Sequence, residues 1–556
     1  TPTQTQTTTH TITHLHAAMV RLPGGYLPRG PGRSPWRLPT TRTKFQPPVR
    51  FTPKVPFDLQ VANSVRKDEL KAIPQNQRED ILGPLLEGNF PVLTDGTFMS
   101  FLAAFNKRCN FHTDEKADPR ILRASKKLLR QIVPLQQDTI EWTKDRFDVW
   151  VKQFEPAKQQ RLIKALERFP LFKQQEYGAK DVFEKAELLM KRHDPDFAGR
   201  IVNASTDLHN ALSGPILSEC LKRLVSLTAL NADAGKDKVT ARIAYGATPQ
   251  EFVPYIEGEG PFIEADFSAN DKVQVSDVSM IERDWAVRLG MPVWLALATL
   301  RANNYTVTSR RFGVRARLAN QLPSGSTSTT FRNSIWNMVI FFAWATRFGL
   351  HITALILGDD MLAKSLNKRL PRRASRSYSH YASLARMKAK VTVSDSLVDC
   401  EFLSRRFVPT SSGHLVIPKL GKAFGRFNAR SNNGNITHQE YVAGKSLSYA
   451  YEFRHAPPLC NLFLERFVAT GMPINSIPVN TYSFAFRSIV LAHGTSEALG
   501  AIRNADEITD DEMTMYFHYR YNKYRHEVVE DLESLLFGDE HISELRAAPY
   551  LTRDIY

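Results

Sequence analysis

Residues 351–363 read His-Ile-Thr-Ala-Leu-Ile-Leu-Gly-Asp-Asp-Met-Leu-Ala. Two apolar runs flank Gly358-Asp359-Asp360. Short apolar runs divided by a glycine predict two buried strands joined by a tight turn. Gly358 permits that turn, because glycine reaches positive φ at little steric cost. The hairpin then presents two adjacent carboxylates at its tip. Taken alone the tripeptide decides nothing, since it recurs by chance in chains of this length.

Two further segments lie upstream. Asp266-Phe-Ser-Ala-Asn-Asp271 closes the apolar run FIEA, and Ser324-Gly-Ser-Thr-Ser-Thr-Thr-Phe-Arg-Asn333 precedes an apolar helix pattern. Each has a plain reading: an Asp at a strand end is commonly a turn residue, and a Ser/Thr run is commonly a loop. In this order the three together meet what nucleotide addition requires. A 3′-oxygen attacks an α-phosphorus in line, and two Mg²⁺ ions stabilise the attacking and leaving oxygens. Mg²⁺ takes hard carboxylate oxygens and completes its shell with substrate phosphates. Asp266 and Asp359 are the expected direct ligands, Asp360 assists, and Mn²⁺ is a substitute metal.

These segments resemble motifs A, B and C of the RNA-dependent RNA polymerases of positive-strand RNA viruses: D-x4-D, S-G-x3-T-x3-N and G-D-D. The resemblance implies that Asp271 and Asn333 contact the ribose of the incoming nucleotide. A carboxylate and an amide can read a 2′-hydroxyl, which both donates and accepts. Ser324, Gly325 and Thr329 shape the loop beside them, with Gly325 close to template or primer. Lys191, Arg192 and Arg200 resemble motif F and would bind the triphosphate, with Lys236, Lys238 and Arg242 a second candidate set. The plain alternative is a solvated basic helix end. The helix pattern 378–390 matches motif D in position, making Lys388 or Lys390 the candidate general acid. Cys400–Arg406 followed by HLVIPKLGK resembles motif E, the primer-cradling hairpin, with Ser404 and Arg405 its candidate contacts. Arg310, Arg311, Arg315 and Arg317 lie in a stretch, 305–321, whose alternation suits a hairpin with one basic face. Template contact and plain solvation both remain open for it. The style of motifs B, E and F is most similar to nodavirus- and tombusvirus-like replicases.

The rest of the chain fits that reading. Across 556 residues the formal net charge is +16 and the pI about 9.5, which points to a polyanionic partner. The four cysteines, Cys109, Cys220, Cys400 and Cys460, form no CxxC pair, which argues against a zinc cluster or a disulfide framework. No apolar run reaches the roughly 20 residues of a membrane span; IWNMVIFFAWAT, 335–346, reads as a buried helix. The absence of an initiating Met suggests processing or a fragment of a longer product.

Residues 1–16 are polar and read as disordered; 21–57 are basic and proline-rich, either binding a polyanion or wrapping the folded body. Helix patterns occur at 68–72, 118–135, 140–154, 157–167 and 180–192, strand patterns begin near 261, and helices dominate beyond 421. The expected class is α+β, a right-hand polymerase. The arm is 1–56, an N-terminal extension and fingers 57–265, an antiparallel palm with motifs A to E 266–420 (272–320 partly fingers), and a helical thumb 421–556. The expected partners are RNA template, nascent RNA, ribonucleoside triphosphates and other viral replication or capsid proteins. The expected place is the host cytoplasm, in a replication complex or virion. Two rivals stand: a reverse transcriptase, disfavoured by Leu-Gly-Asp-Asp where an aromatic is usual, and a non-catalytic RNA-binding or nucleocapsid-like protein, which gives no reason for the ordered carboxylates.

Overall fold

The computed structural model describes residues 60–61, 78–80, 92–94, 96–109, 116–167, 178–189, 198–233, 238–267, 276–300, 304–319, 321–367, 370–427, 429–431 and 436–524. The basic arm, the helix pattern at 68–72, and Lys191, Arg192, Lys236 and Asp271 lie outside these residues.

The strands are β1 (Gln60–Val61), β2 (Arg78–Asp80), β3 (Val92–Leu93), β4 (Ala179–Glu184), β5 (Leu188–Leu189), β6 (Ile201–Ser205), β7 (Val239–Ile243), β8 (Phe262–Phe267), β9 (Asn304–Ser309), β10 (Val314–Ala319), β11 (Ile352–Leu357), β12 (Asp360–Ser365), β13 (Ala389–Ser394), β14 (Glu401–Phe402), β15 (Arg405–Thr410), β16 (Gly413–Pro418) and β17 (Ala429–Ser431). The helices are α1 (Phe98–Arg108), α2 (Pro119–Ile132), α3 (Lys144–Val151), α4 (Pro156–Leu166), α5 (Asp207–Asp233), α6 (Pro249–Ile256), α7 (Ser276–Arg288), α8 (Val293–Leu300), α9 (Thr329–Arg347), α10 (Arg372–Leu384), α11 (Leu420–Phe427), α12 (His438–Glu452), α13 (Pro457–Ala469), α14 (Phe484–His493), α15 (Thr495–Arg503) and α16 (Asp510–Tyr524).

Helix ends follow local chemistry. Asp118 caps α2 by accepting the Arg120 amide at 2.7 Å, Pro119 takes the first position, and the helix stops before Pro134. Thr143 caps α3, so that helix starts inside the expected 140–154. The helix expected at 180–192 is instead β4 and β5. In β4 Lys180, Val182 and Glu184 turn inward while Ala179 and Phe183 face solvent, and pairing with β6 and β9 overrides the helical spacing. Strands therefore begin well before 261. The 27-residue α5 carries buried residues on several faces and shows little one-sided periodicity.

The chain divides into two compact units. The larger spans Val92–Pro418 with β1. It holds a sheet of order β13-β8-β12-β11-β7 and another of order β1-β10-β9-β4-β6, with β14-β15-β16 as a smaller third. The first sheet was expected to be antiparallel; β7 runs parallel to β11, so it is mixed. Its interior strand β11 is buried along Ile352–Ile356, as a continuous apolar run requires. Helix α9 packs on β11 and β7, α10 packs on β13, and Trp336 and Trp344 on α9 are fully buried. Each such side chain contributes roughly 1.5–3 kcal/mol or more on burial. Under the second sheet, Val182, Ile201, Val307 and Val314 close on Phe101 and Phe105 of α1.

The other unit contains α11 to α16 and the β2–β17 pair. Phe427, Tyr449, Phe453 and Phe463 form its aromatic cluster. The acids Asp510, Asp511 and Glu512 occupy the first turn of α16. There they meet the positive end of the helix dipole, and Glu512 accepts the Thr509 amide in a capping arrangement.

Candidate active site

Strand β8 delivers Asp266 and the β11–β12 hairpin delivers Asp359. Leu357 pairs with Asp360, leaving Gly358–Asp359 as a two-residue loop. Gly358 has φ +62° while Asp359 stays out of the left-handed region, which is what a turn with glycine first demands. Met361 pairs with Ala265, so the next step along both strands brings Asp360 alongside Asp266. On its other side Asp266 pairs with Lys390 of β13. Asp360, Asp266 and Lys390 thus form one row at one end of the sheet.

The charges around Asp266 set its electrostatics. Asp266 opens to solvent, yet partial burial and then the Asp359 charge hold its carboxyl above the usual range, with Lys390 opposing. A carboxylate raised by a neighbouring carboxylate's charge gains from a divalent ion placed beside both. Among the described residues no group of three or more acidic, His or Cys side chains converges tightly enough to hold a metal. The donor set fits Mg²⁺ held by two carboxylates and completed by substrate phosphates, and it does not fit an all-protein cage.

The Ser324–Asn333 segment is fixed from both ends. Ser324 Oγ donates to the Ile201 carbonyl at 2.9 Å and accepts the Asn203 amide at 3.3 Å. Gly325 bridges to Ala204 of β6. A β-carbon at Gly325 would meet Val202 Cγ1 at 2.8 Å and Asn203 O at 3.0 Å, so glycine is required for the close approach. Thr329 Oγ1 donates to the Pro323 carbonyl at 3.0 Å. Helix α9 then places Asn333 with its side-chain oxygen buried and unmatched by any protein donor among the described residues.

The basic candidates divide. Arg200 forms an ion pair with Glu187. Arg242 pairs with Asp233 and lies over the Tyr255 ring at 4.4 Å. Arg315 and Arg317 stand exposed on β10 while Val314, Ala316 and Leu318 turn inward, giving the basic face that the alternation predicts. Arg315, Thr308, Asp181, Ala204 and Gly325 follow one another across the sheet, linking this face to the Gly325 loop. Arg310 ion-pairs with Asp181 at 3.4 Å and Arg311 lies over Phe312. Lys388 and Lys390 are exposed, and Lys390 is the one beside Asp266. In the β14–β15 turn Leu403 and Ser404 both hold positive φ, 54° and 59°, a strained conformation for residues with side chains.

Several residues here were not read from the sequence. Ser334 and Asn337 of α9 reach the Gly358 turn, and Glu282 accepts from Arg332 Nε at 2.6 Å and Trp336 Nε1 at 2.8 Å. Glu264, two positions before Asp266, is pushed up to about 7 by burial while touching the Glu401 amide and Cys400. Lys180 Nζ donates to Ser205 Oγ at 2.8 Å, and burial lowers it to about 7. The available signal was polar residues inside an otherwise apolar helix, Arg332-Asn333-Ser334 and Asn337, which burial has to satisfy.

A family model described as RNA dependent RNA polymerase matches residues 55–443, more than two thirds of the chain. A comparison with curated proteins finds no match. Among the described residues no helix is long and apolar enough to cross a membrane. The match sets aside both rival readings, the reverse transcriptase and the non-catalytic binder, because the family's activity is the synthesis of RNA directed by RNA. Spanning all the motif segments, it places this chain in the family of RNA-dependent RNA polymerases of positive-strand RNA viruses.

Proposed function

We propose that the chain extends RNA on an RNA template by a two-metal-ion mechanism, with Asp266 and Asp359 as direct ligands and Asp360 assisting. The observation that carries this reading is the closeness of Asp359 to Asp266 at one sheet end, where burial and then the Asp359 charge raise the Asp266 carboxyl. When bound, two Mg²⁺ ions (or Mn²⁺) would activate the attacking oxygen and neutralise the departing pyrophosphate. Lys390, across from Asp266, is placed to give a proton to the leaving group, with Lys388 the second candidate. Asn333 Oδ1 is free to accept the ribose 2′-hydroxyl, a task it would share with Asp271. Arg200 would exchange Glu187 for the triphosphate, with Lys191 and Arg192 alongside. Arg315 and Arg317 offer phosphate contacts to the template, and Ser404 and Arg405 to the primer end.

In this reading the sheet bearing Asp266 is the palm, the β1-β10-β9-β4-β6 sheet belongs to the fingers, and the helices after 419 are the thumb. The nodavirus- or tombusvirus-like lineage and a cytoplasmic replication complex with further viral proteins belong to the same proposal. Counting bound Mn²⁺ by paramagnetic resonance, with RNA and a non-hydrolysable nucleotide present, tests the mechanism. Two ions per chain, lost in Asp266→Asn and Asp359→Asn, are expected; unchanged binding in both variants contradicts the ligand assignment.

A further inference from the structure

We propose that Ser334 and Asn337 are positioning residues that hold the Gly358–Asp359 turn by its backbone and so fix where the Asp359 carboxylate stands. The inference rests on the reading of Asp359 as a metal ligand. A two-residue hairpin loop leaves the amide and carbonyl of its first residue outside the strand ladder. At Gly358 both groups are taken by one helix. Its N–H donates to Ser334 Oγ at 2.9 Å, and its carbonyl accepts from Asn337 Nδ2 at 3.3 Å. The same Asn337 amide donates to the Asp360 carbonyl at 3.2 Å. Asn337 therefore straddles Asp359 in sequence and grips the backbone on either side of it.

The placement suits a rigid clamp. Ser334 is fully buried and Asn337 almost so, and both project from α9, whose apolar residues are packed all round. Three residues apart on a helix, the two side chains share a face. Neither touches the carboxylate, so neither is a catalytic residue. Both act through the peptide units that carry it, as outer partners of a ligand commonly do. Asn333 precedes Ser334 on this helix, so one rigid element carries the ribose-facing amide and the turn clamp together.

The test uses the full chain with RNA, comparing Ser334→Ala, Asn337→Ala and Ser334→Thr with wild type and Asp359→Ala. Measured are kcat, nucleotide KM, the Mg²⁺ concentration for half activity, RNA affinity and the melting temperature. Ser334→Ala and Asn337→Ala are expected to lose kcat and need more Mg²⁺, each by roughly 10–100-fold. RNA affinity and KM should hold, and Ser334→Thr, which keeps the hydroxyl, should recover most of kcat. Wild-type kcat and Mg²⁺ dependence in folded Ser334→Ala and Asn337→Ala, beside an inert Asp359→Ala, overturn the positioning role alone. Loss of kcat that tracks melting temperature and is not recovered by Ser334→Thr also overturns it, leaving an ordinary core contact. An active Asp359→Ala removes the ligand reading itself.

Discussion

Replacing Glu282 by glutamine tests whether the helix bearing Asn333 rests on a buried ion pair. Glu282 and Arg332 are both fully buried, and the carboxylate also accepts from the Trp336 indole. Glutamine keeps an acceptor for the indole but strands the Arg332 charge without a counter-ion. Removing one partner of a buried pair costs about 3–5 kcal/mol, because the remaining charge stays desolvated. A unit of this size shifts in melting temperature by roughly 1–2 °C per kcal/mol, so a drop of roughly 3–10 °C is expected by differential scanning fluorimetry. Asp148→Asn, which breaks the exposed Lys144–Asp148 pair, is the control, with an expected loss below about 0.5 kcal/mol. The double variant Glu282→Leu/Arg332→Met removes both charges and should recover most of the loss, since apolar replacements of buried pairs are commonly neutral or better. A Glu282→Gln shift no larger than the control refutes the argument. So does a double variant whose loss equals or exceeds that of Glu282→Gln.

Three other outcomes follow from the geometry. Gly325→Ala drives a β-carbon into Val202 and the Asn203 carbonyl, and should cost about 1–3 kcal/mol with raised proteolysis at the loop 324–329. Ser404→Gly relieves a positive φ and should stabilise by about 1 kcal/mol, read as a higher denaturation midpoint, whereas a lower midpoint contradicts the strain. Lys180 is lowered to about 7 in the fold and returns to its ordinary range when unfolded, so above pH 7 the unfolded chain binds the extra proton and stability rises with pH. Between pH 7 and 9 this group contributes at most about 3 kcal/mol, a slope that Lys180→Met should abolish in paired pH-melting series.

The chemistry of this chain was more legible than its scaffold. Gly358-Asp359-Asp360 between two apolar runs dictated a hairpin, and the structure returns one with glycine in the left-handed position. The buried helix 335–346 and the basic alternation at Arg315 and Arg317 were equally plain, the first from an unbroken apolar run and the second from a two-residue period. By contrast, β4 misled: its spacing read as part of a helix over 180–192, yet it is a strand in which Lys180 and Glu184 each turn inward to a partner, Ser205 for one and Ser100 for the other. Burial of that kind depends on residues far along the chain, which local spacing cannot carry. The same holds for Ser334 and Asn337, whose partners lie more than twenty residues downstream on the turn.

We attribute template-directed synthesis to Asp359 and its neighbour Asp360. The most direct measurement is incorporation of labelled ribonucleotides on an RNA template of defined sequence with Mg²⁺ or Mn²⁺, comparing wild type with Asp359→Ala/Asp360→Ala and checking RNA binding by both. Product complementary to the template from wild type, and none from a variant that still binds RNA, is the predicted result. Equal synthesis by the two proteins would contradict it.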